Sequence, residues 1–329
     1  MTDRPLSDER GVVAPIPGAG GLATPSFAVP PGAGGGLPGP LGETMIGGRA
    51  FRWGERTHVM GILNVTPDSF SGDGLLVAPD RDHVAAALEL AGRMIAEGAD
   101  LIDVGGESSR PGHQPVEAGE EIRRVVPVIE ALRDAHPEVP LSVDTTKPAV
   151  AAAALDAGVA LINDVWGVAQ DDALIRLAAE GGVPIVLMHN RAEARYVNLV
   201  AEVIADLQLA LERALRAGCR WENLIVDPGF GFGKAPHHNL ALLRELATLR
   251  ILGRPILLGT SRKSTLGRVL DLPPEERLEA TLATTALGIA AGVDIVRVHD
   301  VLANVRAARM TDAIVRGGTS AVEDGMIGR

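Results

Sequence analysis

Four cationic side chains near the end of the chain could bind an anion. They stand in two short motifs, Arg262 and Lys263 in Gly-Thr-Ser-Arg-Lys-Ser, and Arg297 and His299 in Arg-Val-His-Asp. Both motifs end apolar runs in a protein of net charge −11, and burying cations without an anionic partner is costly. A phosphate or diphosphate would neutralise them. Salt bridges to Asp144 and Asp227 are an alternative that can coexist with such a ligand.

Carboxylates and an amide end three other apolar runs. Asp144 lies in Ser-Val-Asp-Thr, Asn163 in Ile-Asn-Asp-Val and Asp227 in Ile-Val-Asp-Pro-Gly. Together, a carboxylate and an amide can offer acceptors and donors to the edge of a polar heterocycle. The same residues would also suit a hydrogen-bonded pair without a ligand, and the residues alone leave both readings open.

Three loops rich in glycine or proline follow apolar runs and can close over a ligand. In the first, the amide oxygen of Asn64 suits Mg²⁺, whereas spacing alone favours a surface turn capped by Asp68. The second, Asp-Val-Gly-Gly-Glu-Ser-Ser-Arg-Pro-Gly, either binds an anion or is an ordinary loop. In the third, Gly-Phe-Gly-Phe-Gly-Lys, exposed phenylalanines would be costly unless they cover something, which favours a functional loop.

Eight short apolar, β-branched runs must position these groups, with helical periodicity between them. The runs cover residues 58–65, 101–106, 141–145, 160–165, 183–189, 224–229, 255–260 and 295–300. This alternation predicts an α/β protein with a single (β/α)₈ TIM barrel, and a doubly wound open sheet is the alternative. Nearly every run ends in a polar residue, which favours the barrel because a barrel gathers all its strand ends at one mouth.

The ends of the chain and its composition limit the remaining possibilities. The first 50 residues contain 12 glycines and 8 prolines, which predicts a flexible extension over 1–45, a barrel over 46–316 and a frayed tail over 317–329. A net charge of −11 with 3% aromatic residues makes nucleic acid an improbable partner. No apolar run is long enough to cross a membrane, and the single cysteine, Cys219, suits the cytoplasm.

Seven motifs, taken in order, closely resemble the dihydropteroate synthase family over residues 58–315. They read MGILNVTPDSFS, DVGGESSRPG, SVDTTKP, INDV, DPGFGFGK, TSRKS and RVHD. The resemblance implies a (β/α)₈ barrel, a homodimer and a magnesium-dependent transferase of folate biosynthesis. Its substrates would be small molecules. The enzyme would join 4-aminobenzoate to 6-hydroxymethyl-7,8-dihydropterin diphosphate and release diphosphate.

The resemblance also implies a role for each matching residue. Asn64 would contact the Mg²⁺ ion that holds the diphosphate, and either Asp68 or Asp73 would be the acid of the first loop. Ser109 would contact the pterin diphosphate, and Arg110 would assist Arg297 and His299 in binding the diphosphate. Asp144, Asn163, Asp227 and Lys263 would bind the pterin ring, Arg297 and His299 the diphosphate, and Phe70, Pro111, Phe230, Lys263 and Ser264 the aminobenzoate. Lys263, Arg297, His299 and Asp227 are the expected catalytic residues.

The implied chemistry is a displacement at the exocyclic methylene of the pterin. The electron-rich dihydropterin can stabilise a developing cation there, so we expect an SN1-like reaction in which the protein neutralises the leaving diphosphate. One alternative is a pterin-binding methyltransferase that works with a corrinoid partner, but it would have no use for the four cations. A catalytically silent pterin-binding paralogue is the other, and the complete set of expected ligands argues against it.

Overall fold

The computed structural model describes residues 41–66, 83–107, 115–168 and 171–317. A short antiparallel hairpin comes first, and a parallel sheet follows. The hairpin strands are β1 (Glu43–Ile46) and β2 (Arg49–Arg52). The strands of the parallel sheet are β3 (His58–Asn64), β4 (Leu101–Gly105), β5 (Leu141–Asp144), β6 (Leu161–Asp164), β7 (Ile185–Met188), β8 (Leu224–Asp227), β9 (Leu257–Leu258) and β10 (Ile295–Val298).

The parallel sheet curls into a nearly closed barrel. Its strand order is β8-β7-β6-β5-β4-β3-β10-β9, so β8 and β9 stand at the two ends. These ends meet through a parallel bridge between Val226 and Ile256, and the Val226 N–H donates to the Pro255 carbonyl at 3.0 Å. Each of the eight predicted runs contains one of these strands. The predicted single barrel is therefore confirmed, and the open-sheet alternative is wrong.

Helices separate successive barrel strands along the described parts of the chain. They are α1 (His83–Ala96), α2 (Ala118–Ala135), α3 (Pro148–Ala157), α4 (Ala173–Gly181), α5 (Leu199–Arg216), α6 (Pro236–Arg244), α7 (Ser264–Leu270), α8 (Leu278–Ala290) and α9 (Val301–Val315), with 3₁₀ turns at Trp221–Asn223, Leu246–Leu252 and Pro274–Glu276. Helix α3 illustrates the local causes. It is rich in alanine, begins with Pro148 in its first turn and ends at Gly158, whose φ of 115° stops the helix.

Apolar side chains form two clusters, one on each face of the barrel wall. The larger lies between the strands and the surrounding helices. The smaller fills the base of the barrel with side chains from seven barrel strands and from the hairpin, namely Met60, Leu101, Leu161, Val186, Ile225, Leu257 and Ile295 with Ile46, Phe51 and Trp53. No described helix combines the length and the apolar character that a membrane span requires.

The hairpin corrects the predicted start of the folded region. Strand β1 begins at Glu43, inside the segment assigned to the flexible extension. The glycine and proline content of the first 50 residues concealed a short alternation in which Ile46 and Phe51 are fully buried. The rest of the predicted extension, residues 1–40, lies outside the described residues, as do residues 318–329 of the predicted tail.

Hydrogen bonds fix the hairpin to the barrel. The indole of Trp53 donates to the Thr44 hydroxyl at 2.9 Å, and that hydroxyl donates to the Glu222 carbonyl at 2.5 Å. Arg49 and Arg56 both bind the carboxylate of Asp100, at 2.8 and 2.6 Å. The base of the barrel is therefore closed, and its mouth lies at the other end, where the strands terminate.

Candidate active site at the mouth of the barrel

Strand register places the predicted polar residues on neighbouring strands at the mouth. Asn64 pairs with Gly105, Gly105 with Asp144, and Asp144 with Asn163 across β3 to β6. Asp103 lies two residues before Gly105, so its side chain points to the same face of β4. Gly105 leaves room between its neighbours, since a Cβ there would lie 3.5 Å from the Asn64 amide oxygen and 3.6 Å from the Asp144 Cβ.

Arg297 joins these residues from the opposite side of the strand order. Its Nε donates to Asp103 Oδ2 at 2.6 Å, and one terminal nitrogen donates to Asp144 Oδ2 at 2.7 Å. The amide nitrogen of Asn163 donates to the same Asp103 oxygen at 2.9 Å. The structure thus brings Arg297, Asp144 and Asn163 together, and the predicted salt bridge between Arg297 and Asp144 is present.

Burial shifts the pKa values of the two predicted ring-binding acids upward. Desolvation raises the pKa of Asp144 to about 7, with Arg297 opposing the shift and the charge of Asp103 adding to it. Desolvation also raises the pKa of Asp227, although the nearby Lys263 ammonium opposes the shift. The Asp227 carboxylate accepts a hydrogen bond from the Gly229 N–H at 2.7 Å, which fixes its orientation.

Lys263 faces the acids from the loop before α7. Burial lowers the pKa of its ammonium to about 8, while the charges of Asp227 and Asp144 oppose this shift. The ammonium donates to the Phe230 carbonyl and lies 4.3 Å from the centroid of the Phe232 ring. Lys263 is therefore held between two strand-end loops and acts on both acids.

The two phenylalanines of the third loop have different environments. Phe230 is fully buried and packs in the larger apolar cluster, whereas Phe232 is half-buried beside Lys263. The sequence predicted that both rings cover another group, and Phe230 does so by packing against the apolar core. The sequence analysis assigned no role to Phe232, although a second phenylalanine in the glycine-rich loop was a signal that one of the two rings could face the site.

His299 and Asn64 line one cavity of about 440 Å³ together with Arg262. The Nδ1 atom of His299 lies 3.0 Å from the Ser261 hydroxyl. The predicted cationic group needs one correction, because Arg262 forms a two-point ion pair with Asp300 at 3.0 and 2.6 Å. Asp300 therefore pairs with the Arg262 guanidinium, which the sequence predicted to bind an anionic ligand.

Of the remaining predicted site residues, the structure describes only Ser264. Ser264 is exposed and begins α7. Phe70, Ser109, Arg110 and Pro111 lie outside the described residues, and so do the two candidate acids of the first loop, Asp68 and Asp73. Their implied roles stay predictions.

Sequence reasoning also missed two buried charged residues beside the site. Asp103 was noted as a polar strand end without a role, yet it binds both Arg297 and Asn163. Lys234 is buried, and its ammonium contacts His189 Nδ1 at 2.8 Å and the carbonyls of Gly229 and Phe232 at 3.0 Å each. Lys234 thereby holds the loop that in turn holds Lys263.

Comparison with known proteins agrees with this geometry. Residues 60–299 match the model of the pterin binding enzyme family. A dihydropteroate synthase of Clostridium beijerinckii is 50% identical, with coverage of 82% of this chain and 99% of the relative. One of Bacillus subtilis is 51% identical, with coverage of 82% and 92%.

A solved structure of the Xanthomonas albilineans dihydropteroate synthase, with 4-aminobenzoic acid, is also similar. It is 43% identical, has a TM-score of 0.77, and the match covers 83% of this chain and 97% of that one. The family match contains every described site residue, from Asn64 to His299. The chain therefore belongs to the pterin-binding enzymes, within the dihydropteroate synthase family.

Proposed function

We propose that the chain joins 4-aminobenzoate to the methylene carbon of (7,8-dihydropterin-6-yl)methyl diphosphate and forms 7,8-dihydropteroate. The observation that carries this proposal is the meeting of Arg297 and Lys263 with Asp144, Asn163 and Asp227 at one barrel mouth. Acids and an amide suit a hydrogen-bonding ring, and the cations suit its diphosphate. The relatives of 41–51% identity bear the name of this synthase.

The pterin ring is bound by buried groups of complementary character. Asp144 and Asp227 accept hydrogen bonds from ring N–H groups, and both are nine-tenths or more buried. Asn163 presents its amide oxygen, because its nitrogen already donates to Asp103. Lys263 lies between the ring-binding acids and the Phe232 face. A buried site that is built to hydrogen-bond a polar ring rejects analogues that lack the matching atoms.

The diphosphate is bound at the side of the mouth formed by the last strands. Arg297 donates to Asp103 and Asp144 through two of its five N–H groups. Its other N–H groups and His299 would bind the diphosphate, and Ser109 and Arg110 would contribute from the second loop. Asn64 and His299 line the same cavity, whose outer wall is formed by helices α1 and α9. Neutralising the charge that develops on the leaving diphosphate lowers the barrier to its departure.

Mg²⁺ is the proposed cofactor, and the residues present fit it. The described residues contain no group of three or more His, Cys, Asp or Glu that could hold a metal without help. Mg²⁺ bound to a substrate diphosphate needs only one or two protein oxygens, and the Asn64 amide lines the cavity beside His299. Asn64 would hold the ion, which supplies further charge neutralisation to the diphosphate when bound.

The reaction is a dissociative displacement. The bond between the methylene carbon and the diphosphate oxygen breaks, and the diphosphate leaves with the electron pair. The dihydropterin carries the resulting positive charge, which the Asp144 and Asp227 carboxylates stabilise. The amine of 4-aminobenzoate then forms the new C–N bond and releases a proton to solvent, so no strong general base is needed. Phe70, Pro111, Lys263 and Ser264 would frame the aminobenzoate, and Phe230, which is fully buried, would support that pocket from the core.

A steady-state assay with the purified chain tests this proposal. Diphosphate release that requires both substrates and Mg²⁺, with equimolar 7,8-dihydropteroate, is the expected result. A requirement for a corrinoid would instead identify a methyltransferase, and pterin binding without turnover would identify a silent paralogue. Trapping of the pterin cation in a single turnover without aminobenzoate supports the dissociative route, whereas its absence supports an associative one.

The chain is also proposed to act as a homodimer in the cytoplasm. Helices α8 and α9 carry large exposed apolar side chains, among them Leu287, Met310 and Ile314 at 49%, 64% and 69% exposure. Burying such side chains against a second copy is favourable. Light scattering coupled to gel filtration tests the dimer, with a monomeric mass as the contrary result. Cell fractionation tests the location.

A further inference from the structure

Asp103 makes the contacts that link the two sides of the barrel mouth. It lies on β4 and is fully buried. In the strand order, Asn163 on β6 lies two strands away on one side and Arg297 on β10 lies two strands away on the other. One oxygen of Asp103 accepts from both, at 2.9 and 2.6 Å. These bonds cross the barrel interior and do not follow the sheet.

The two hydrogen bonds to Asp103 fix the orientation of Asn163 and of Arg297. An asparagine amide can present either its oxygen or its nitrogen, and the bond to Asp103 commits the Asn163 nitrogen. The guanidinium of Arg297 is held by two carboxylates, Asp103 at Nε and Asp144 at a terminal nitrogen. Asp103 thus determines which Asn163 atom faces a ligand and in which plane Arg297 lies.

A second buried carboxylate shows what a purely structural ion pair looks like in this fold. Asp100 lies at the base of the barrel, where it binds Arg49, Arg56 and the Val59 N–H. Its partners lie in or just after the hairpin and on an adjacent strand. Asp103 differs because both of its partners belong to the mouth and because its second oxygen, Oδ1, is buried without a hydrogen bond to any described residue.

We propose that Asp103 is a positioning residue of the synthase reaction, which orients Asn163 and Arg297. This inference rests on the proposed function and extends it. The charged groups that act on Asp144 are Arg297 from β10, Asp103 from β4, Glu121 from α2 and Lys263 from the loop before α7. Among them, Asp103 and Glu121 favour protonation of Asp144, and Arg297 and Lys263 oppose it.

Asp103→Asn tests the proposal, because it removes the charge and keeps the size. We expect kcat/KM to fall by about 100-fold, and binding of 6-hydroxymethyl-7,8-dihydropterin, followed by fluorescence, to weaken by about tenfold. The acid limb of the kcat/KM profile should move to lower pH. The pKa of Asp144 falls because a negative neighbour is lost and because Arg297 then pairs with Asp144 alone. A merely structural role for Asp103 would not move this limb.

Two control variants separate position from stability. Asp100→Asn also removes a buried carboxylate, and we expect it to lower the melting temperature without moving the acid limb. Ser142→Ala removes a buried hydroxyl from the residue in register with Asp103, and we expect near-native kcat/KM. An acid limb that moves equally in Asp100→Asn, or a native limb and native kcat/KM in Asp103→Asn, overturns the proposal.

Asp103→Glu decides the question if Asp103→Asn does not fold. Glutamate keeps the charge but moves it by one methylene, so we expect lower kcat/KM with an unchanged acid limb, and native kcat/KM would overturn the proposal. The wild-type chain is assayed first with both substrates. Failure to form dihydropteroate there defeats the proposed function itself, whereas an active wild type with unaffected Asp103 variants defeats only the role of Asp103.

Discussion

The ammonium of Lys263 lies 4.3 Å from the centroid of the Phe232 ring and donates to the carbonyl of Phe230. One loop therefore supplies both an aromatic face and a carbonyl to a cation from the next loop. This arrangement holds the ammonium in place without neutralising it, so its charge stays available to Asp227 and Asp144.

Loss of either central cation should slow the reaction strongly. We expect Lys263→Ala and Arg297→Ala each to lower kcat/KM by an amount equivalent to about 2–4 kcal/mol, because each removes a charge that acts on the transition state. Steady-state kinetics with both substrates measure the effect. Arg195→Ala is the control, since this arginine is exposed and forms an ion pair with Glu193 at the surface. Near-native kcat/KM in both variants would refute the assignment.

The pH dependence of kcat/KM should be bell-shaped. Burial raises the pKa of Asp144 to about 7, so activity falls as pH drops through 7 and the carboxylate takes up a proton. Burial lowers the pKa of Lys263 to about 8, so activity falls again as pH rises through 8 and the ammonium loses its proton. Lys263→Arg should move the alkaline limb to higher pH. An alkaline limb that stays in place in this variant contradicts the role of Lys263.

The same Asp144 shift has a consequence for stability. A carboxyl whose pKa is raised in the folded state contributes stability below its unfolded value of 3.8, and this contribution is lost as pH rises towards 7. Asp144→Asn should therefore reduce the decline in unfolding free energy between pH 4 and pH 7 (roughly the interval between the two pKa values). Urea titrations at several pH values measure it, and identical slopes in both proteins would contradict the prediction.

Alanine at Gly229 should destabilise the fold more than alanine at a matched glycine. Gly229 has a φ of 69°, and a Cβ there would overlap the His189 carbonyl. Gly54 has a φ of 86° with open space around it, so Gly54→Ala incurs only the backbone cost of about 1–2 kcal/mol. We expect Gly229→Ala to lose at least about 2 kcal/mol more. Urea unfolding measures both variants. Equal losses of unfolding free energy in Gly229→Ala and Gly54→Ala would contradict the prediction.

Replacing Lys234 should weaken both the fold and the site. In Lys234→Met, the carbonyls of Gly229 and Phe232 and the Nδ1 of His189 lose a buried donor. Unsatisfied buried acceptors cost about 1–3 kcal/mol each, so with three of them we expect the unfolding free energy to fall by at least about 3 kcal/mol. The KM for the pterin substrate should rise as well, because this loop holds Lys263. Native stability with native KM would contradict the prediction.

The barrel and the meeting of Arg297 with Asp144 were predictable from the sequence, for a physical reason. Parallel strands end at one mouth and side chains alternate along a strand, so polar strand ends in eight apolar runs must converge. The role of Asp103 was not predictable in this way. Its bonds cross the barrel interior, and the distance between non-neighbouring strands depends on barrel closure rather than on any local pattern.

The two phenylalanines and the hairpin show a different limit. Which ring in Gly-Phe-Gly-Phe-Gly enters the core depends on the positive φ angles of Gly229 and Gly231, 69° and 85°, and these follow from tertiary packing. Strands β1 and β2 have four residues each, too few for a reliable alternation signal among glycines. Long periodic helices and strands can be predicted from a sequence, whereas the formation of short ones depends on the residues they pack against.

The hairpin at the base sets a boundary for any shortened version of this protein. The family match begins at residue 60, after Ile46, Phe51 and Trp53, which cover the base of the barrel. It ends at residue 299, before helix α9 (Val301–Val315). A fragment trimmed to that match would expose the apolar floor to water and lose a wall helix, and would be expected to aggregate, although every described site residue remained on it.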